Sequence, residues 1–170
     1  MTIEEAIKII PNKGNIFFHC YSTSVISLLR AAHKSGKRFT VYNTEVRPKF
    51  LGRRAAKALA KEGIKVIHLP DLAGPETLKE CDLLLFGTER IKKDGTLINK
   101  IGTKTLVDVA KKSRIPCYCI TKENKSPKKR INTPTQLWKS PPKGVKVLSP
   151  GHEEIRNKTI KIVELKRQPS

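Results

Sequence analysis

Four consecutive apolar residues, Leu83-Leu84-Leu85-Phe86, stand between Asp82 and Gly87. A short apolar run without polar alternation fits a strand buried on both faces, as in a parallel sheet with helices above and below. Any fold for this chain therefore has to supply two helical layers and further strands beside this one. Residues just past the carboxyl end of such a strand, here Glu89 and Arg90, face the crevice where open α/β sheets bind ligands.

The remaining sequence meets that demand. Thr2 to Glu5 reads as a capping box opening a short helix that Pro11 to Gly14 ends. Asn15 to His19 is a strand, and Ser22 to Ser35 a helix with Val25, Leu28, Leu29 and Ala32 on one face and Gly36 as its stop. Arg38 to Asn43, Lys65 to Leu69 and Pro116 to Thr121 read as further strands, with helices over Gly52 to Glu62, Pro75 to Glu80 and Thr103 to Ser113. Asp94-Gly95 is a two-residue hairpin signal between Ile91 and Leu97, and Thr103 an N-cap whose helix has free N–H groups suited to an anion. Strand and helix alternate without an internal repeat. The fold expected is α/β, Rossmann-like and doubly wound, with a mainly parallel sheet and helices on both faces.

With 170 residues the chain is expected to form one domain with a real core: a short helix over 1–14, a core over 15–121, a basic loop over 122–144, and closing strands and tail over 145–170. In the loop seven Lys/Arg face only Glu123, and four prolines interrupt any element. Val145 to Leu148 and Ile160 to Val163 alternate as closing strands. The whole chain carries 35 Lys+Arg against 15 Asp+Glu, a net charge of +20, which suits a polyanion. Its apolar runs fall far short of the roughly 20 residues of a membrane span, and nothing at the N-terminus resembles a signal peptide. A cytoplasmic protein with reduced cysteines is expected, without membrane contact.

Individual residues suggest chemistry, each beside a plainer reading. Cys20 follows a strand and precedes a helix whose N-terminal N–H groups favour a thiolate; a buried structural thiol is the alternative. Ser22 at that helix start suits phosphate or simple capping equally. Arg47 lies past the second strand, where a guanidinium grips phosphate in bidentate fashion. Asn99 and Lys100 pair an amide with a point charge ahead of the next helix. Arg53 and Arg54 read as a solvated helix start. Cys117 and Cys119 share one face of a strand as structural thiols rather than a zinc site. Of the histidines, His19 alone invites a test, and Trp138 reads as an anchor for the basic loop. Neither a dinucleotide fingerprint nor a P-loop is present, and the reading calls for no cofactor or metal.

GTERIKKDGTLINKIGT, from Gly87 to Thr103, resembles the signature of the superfamily uniting translation initiation factor 2B regulatory subunits, ribose-1,5-bisphosphate isomerase and methylthioribose-1-phosphate isomerase. HCYSTS, from His19 to Ser24, and TEVRPKFLGRRAAKAL, from Thr44 to Leu59, are similar to two further family motifs in the expected order. The resemblance covers about 15–121.

In the isomerases the resemblance implies a cysteine at the Cys20 position and an aspartate at the Glu89 position as acid and base. Glutamate here extends the carboxyl by one methylene, and a misplacement near 1 Å costs on the order of a hundredfold in rate. Full-length relatives carry a helical N-terminal domain that closes over the substrate, whereas about fourteen residues precede the first strand here. The first expectation is accordingly an initiation-factor-2B-like regulatory protein that keeps a sugar-phosphate or nucleotide-phosphate pocket. The alternative is an aldose–ketose isomerase of the ribose-1,5-bisphosphate type using Cys20 and Glu89, with Ser22, Arg47, Asn99 and Lys100 holding phosphate. A third reading is a basic RNA-associated protein touching RNA or a translation factor through 122–144. Expected partners are a phosphorylated small molecule and a second copy or larger family assembly.

Overall fold

A computed structural model describes residues 1–122, 138, 140–156 and 158–166. The capping box forms as read: the Glu5 N–H donates to Thr2 Oγ1 and the Thr2 N–H to Glu5 Oε2, opening α1 (Ile3–Ala6). Then follow β1 (Gly14–His19), α2 (Thr23–Lys34), β2 (Phe39–Thr44), α3 (Leu51–Ala60), β3 (Lys65–Leu69), α4 (Gly74–Leu78) and β4 (Leu83–Phe86). The second half adds β5 (Arg90–Ile91), β6 (Leu97–Lys100), α5 (Thr103–Lys112), β7 (Cys117–Lys122), β8 (His152–Ile155) and β9 (Lys161–Leu165).

Six strands form one sheet in the order β3-β2-β1-β4-β7-β9, every neighbouring pair parallel. Alternation along the strands sends side chains to opposite faces. Ile16 and Phe18 of β1, with Leu83 and Leu85 of β4, pack under α1, α2 and α3. Phe17, Leu84 and Phe86 pack with Leu78, Leu106, Val107 and Ala110 under α4 and α5. Both layers demanded by the Leu83–Phe86 run are present, and all four of its residues are buried. Burying each such side chain contributes about 1.5–3 kcal/mol, so the sheet centre is the rigid platform of the molecule. Cys117 and Cys119 join the second core, where burial pushes the Cys117 thiol up to about 12, as structural thiols require.

Several local expectations need correction. The Asp94-Gly95 turn is not a two-residue hairpin: Lys92 N–H donates to the Thr96 carbonyl and only Gly95, at φ +80°, is left-handed. Three residues, 93–95, lie inside the Lys92–Thr96 hydrogen-bonded pair, and Asp94 accepts from the Thr96 N–H instead of adopting positive φ. Thr103 is the first residue of α5, not its cap. The cap position belongs to Gly102 at φ +94°, and Thr103 Oγ1 donates to the Lys100 carbonyl. One free N–H of that helix, at Lys104, already meets the Glu153 carboxylate at 2.7 Å.

Val145 to Leu148 form no strand and are exposed at Val145 and Leu148; among the described residues no neighbouring strand completes their alternation. A strand does form slightly later, at β8, which pairs antiparallel with β6 to make a small sheet β5-β6-β8. The basic loop falls mostly outside the described residues, including Arg130 and Lys139. Trp138 is described and half exposed, so it is not sealed into the core. No helix among the described residues is long and apolar enough to cross a membrane.

Candidate functional site

The strand order reverses between β1 and β4, and the chain leaves their carboxyl ends in opposite directions. Such a divergence opens a crevice above the sheet. Gly87 allows the two exits to approach closely: a Cβ there would lie 2.5 Å from Ser22 Oγ. Ser22 in turn caps α2, accepting from the Val25 N–H at 3.4 Å. Between the two exits Cys20 takes a left-handed φ of +68°, an uncommon state for a residue with a side chain.

A cavity of about 520 Å³ occupies this crevice, and Cys20, Ser22, Glu89, Asn99 and Lys100 all line it. Residues separated by eighty positions are thus brought together by the β1–β4 pairing and by β6 folding back. The wall is polar and basic. Among the described residues, Lys49, Arg54, Lys100 and Lys122 bring four cations against the single acid Glu89, and the hydroxyls of Ser22, Thr23 and Ser24 stand at the start of α2. That balance favours an anionic ligand.

Asn99 is buried and spends its amide N–H on Thr103 Oγ1 at 3.2 Å, fixing the turn into α5. Lys100 emerges beside it with its ammonium 3.8 Å from Glu89 Oε1 and hydrogen-bonded to His152 Nε2. A partly exposed pair at that distance adds about 0–1 kcal/mol to stability. Its significance is positional: it sets a carboxylate and an ammonium side by side in the cavity wall. Glu89 therefore meets charge and hydroxyls rather than an apolar wall.

Arg47 does not line this cavity. Its guanidinium sits 3.6 Å from Glu45 and over the Phe50 ring, and its backbone N–H donates to Asp71. It borders the space on the far side of the β2–α3 loop. Arg54 stands in the cavity instead, its guanidinium 4.7 Å from the Tyr21 ring centroid, while Arg53 pairs with Glu45. Sequence reading set both arginines aside as solvated. Tyr21, next to Cys20, was the available hint that one of them faces the site. His152 was also missed, since the strand that carries it has no hydrophobic alternation to announce it.

A model of the Initiation factor 2 subunit family matches residues 2–166. This chain belongs to that family. Ribose 1,5-bisphosphate isomerase of Archaeoglobus fulgidus is 38% identical over 101 residues, 59% of this chain and 32% of that protein. Methylthioribose-1-phosphate isomerase of Pelotomaculum thermopropionicum is 37% identical over 124 residues, covering 66% of this chain and 34% of its own length. The translation initiation factor eIF-2B of Pyrococcus horikoshii has the same fold, with a TM-score of 0.83 at 23% identity over 94% of this chain and 59% of the other. The chain thus spans about a third of the length of these two curated relatives.

On the other side of the strand ends, this family member has a second cavity of about 290 Å³ with a mostly apolar wall. His19 lines it, fully buried, and burial lowers its pKa to about 4 against the opposing pulls of Asp71 and the Ile101 backbone. The imidazole is therefore neutral near pH 7. Burial alone would raise the Asp71 carboxyl, but the N–H groups of Arg47 and Val46 and the Thr44 hydroxyl outweigh it and hold the pKa below the usual range. Asp71 thereby ties the β2–α3 loop to the end of β3. Among the described residues no cluster of His, Cys, Asp and Glu could hold a metal ion.

Proposed function

We propose that the basic crevice binds a sugar phosphate and that Cys20 and Glu89 carry out aldose–ketose isomerisation on it. The observation that carries this reading is the placement of thiol and carboxylate on one wall system with Lys100 beside the carboxylate. Isomerisation moves hydrogen from C2 to C1, so that C2 is oxidised from hydroxyl to carbonyl while C1 is reduced by the same two electrons, and the change balances within the substrate. On a sugar phosphorylated at its anomeric oxygen, one group gives a proton to the ring oxygen as its bond to C1 breaks, and the other takes the C2 hydroxyl proton as the hydrogen on C2 passes to C1, a division worth on the order of 10²–10⁴-fold per positioned group. Lys100, with Arg54 and the α2 start, would hold the phosphate. Two curated relatives that match this chain are isomerases of pentose phosphates by name, which supports this reading over the purely regulatory one.

The regulatory reading keeps one specific point in its favour, the longer Glu89 side chain. Turnover of ribose 1,5-bisphosphate by the purified protein, beside Cys20→Ser and Glu89→Gln, decides between them. Turnover that both substitutions abolish is expected. Sugar-phosphate binding without turnover would instead leave a ligand-sensing protein.

A further inference from the structure

The antiparallel register of β6 and β8 sets Lys100 opposite His152, two residues 52 positions apart in sequence. An ammonium has only donors, so the hydrogen bond between them makes Nε2 the acceptor and leaves the ring proton on Nδ1. We propose that His152 is a positioning residue: as a neutral imidazole it holds the Lys100 ammonium in the wall of the crevice, and gaining a proton it releases that ammonium to Glu89, weakening anion binding. This rests on the reading of the crevice as a phosphate site.

Among the described residues the charged groups facing His152 are Lys100 from β6, Glu89 from the segment after β4, and Lys49 and Arg47 from the β2–α3 loop. Burial lowers the pKa of the imidazole, Lys100 and Lys49 lower it further, and Glu89 opposes them. Near pH 7 the acceptor state is therefore filled. A proton on Nε2 removes the acceptor and puts two cations in contact. Glu89 Oε1, already 3.8 Å from Lys100 Nζ, is the nearest relief. Pairing with Glu89 takes an ammonium donor away from the ligand. A direct charge-assisted bond to an anion outweighs one more positive charge felt through solvent, so affinity falls on acidification although net charge rises.

Sulfate is a suitable probe because it remains a dianion across the range. Its binding is followed at the Lys100 backbone amide resonance, which reads this crevice rather than other parts of so basic a chain. On acidification from about pH 8 to about pH 5 the affinity of the natural protein should fall, approaching about a tenfold loss, the worth of one charge-assisted bond, as the imidazole becomes fully protonated. His152→Gln keeps an acceptor that cannot titrate and should bind with a flat profile, whereas His152→Leu should bind weakly throughout. Lys100→Met should raise the pKa of the His152 ring, read from its carbon-bound proton resonances, and Glu89→Gln should lower it. Affinity that rises on acidification, or a His152→Gln profile that follows the natural one, overturns the proposal. Sulfate binding with the expected profile but no isomerase turnover fails only the isomerase reading. Turnover with His152-independent sulfate binding fails only this one.

Discussion

His19 and Cys20 are adjacent, yet they line different cavities. Cys20 belongs to the 520 Å³ crevice with its cations and hydroxyls, and His19 to the 290 Å³ apolar space beside α4 and α5. The two spaces share one strand end and are separated by the β2–α3 loop, with Lys49 on one side and Arg47 turned to the other. Burial in the apolar space keeps His19 neutral, whereas the polar crevice keeps its charges in the presence of water and of each other. Proximity to a strand end is thus insufficient to make a group part of the crevice; which face its neighbours leave open decides it.

Displacing the dividing loop is the strongest way to break this contrast. Gly52 anchors the loop, and a Cβ at that position would lie 1.6 Å from the Thr44 carbonyl oxygen, which is backbone and cannot rotate away. Gly52→Ala should cost more than about 3 kcal/mol in urea denaturation. A loss under about 1 kcal/mol would mean the loop relocates freely and the two spaces are not truly separate.

Next in size is the pH response of the apolar side. His19 has an ordinary value of 6.5 when unfolded and about 4 when folded, so between these limits the unfolded chain binds more protons. Stability is full above about pH 6.5 and falls as the pH drops toward 4, by about 3 kcal/mol in total at 1.36 kcal/mol per unit. His19→Gln should flatten that part of the stability profile. An unchanged slope would assign it to other groups.

The two arginines sharpen the comparison further. Arg54→Ala should weaken sugar-phosphate binding about tenfold, since it removes a guanidinium from the crevice wall, whereas Arg47→Ala should change it by less than about threefold. Calorimetry giving the reverse order would place the phosphate on the Arg47 side of the loop. Smallest of all, Leu72→Ser should alter stability by less than about 0.5 kcal/mol, because Leu72 is 97% exposed although it borders the apolar space.

What could be read in advance follows from how local each signal is. Leu83–Phe86 declares its burial on both faces without reference to anything else, and Lys65–Leu69 has the strand bounds read from it. Ser22 is a cap because the helix begins one residue later, a relation contained in neighbouring positions. By contrast β8, HEEI, has no alternation of its own and is a strand because β6 pairs with it. Val145 to Leu148 have the alternation, but among the described residues no strand pairs with them.

The sequence by itself determined the layered α/β fold, the placement of Cys20 and Glu89 at strand ends, and the basic character of the chain, since periodicity and composition act over a few residues or over all of them. Tertiary structure alone decided that Arg54 and not Arg47 joins Cys20 and Glu89. It also decided that His152 meets Lys100 across 52 positions. Which side of a loop a long cation occupies depends on a competing partner, here Glu45 for Arg47 and Arg53 and the Tyr21 ring for Arg54, and such competition exists only once the chain has closed on itself.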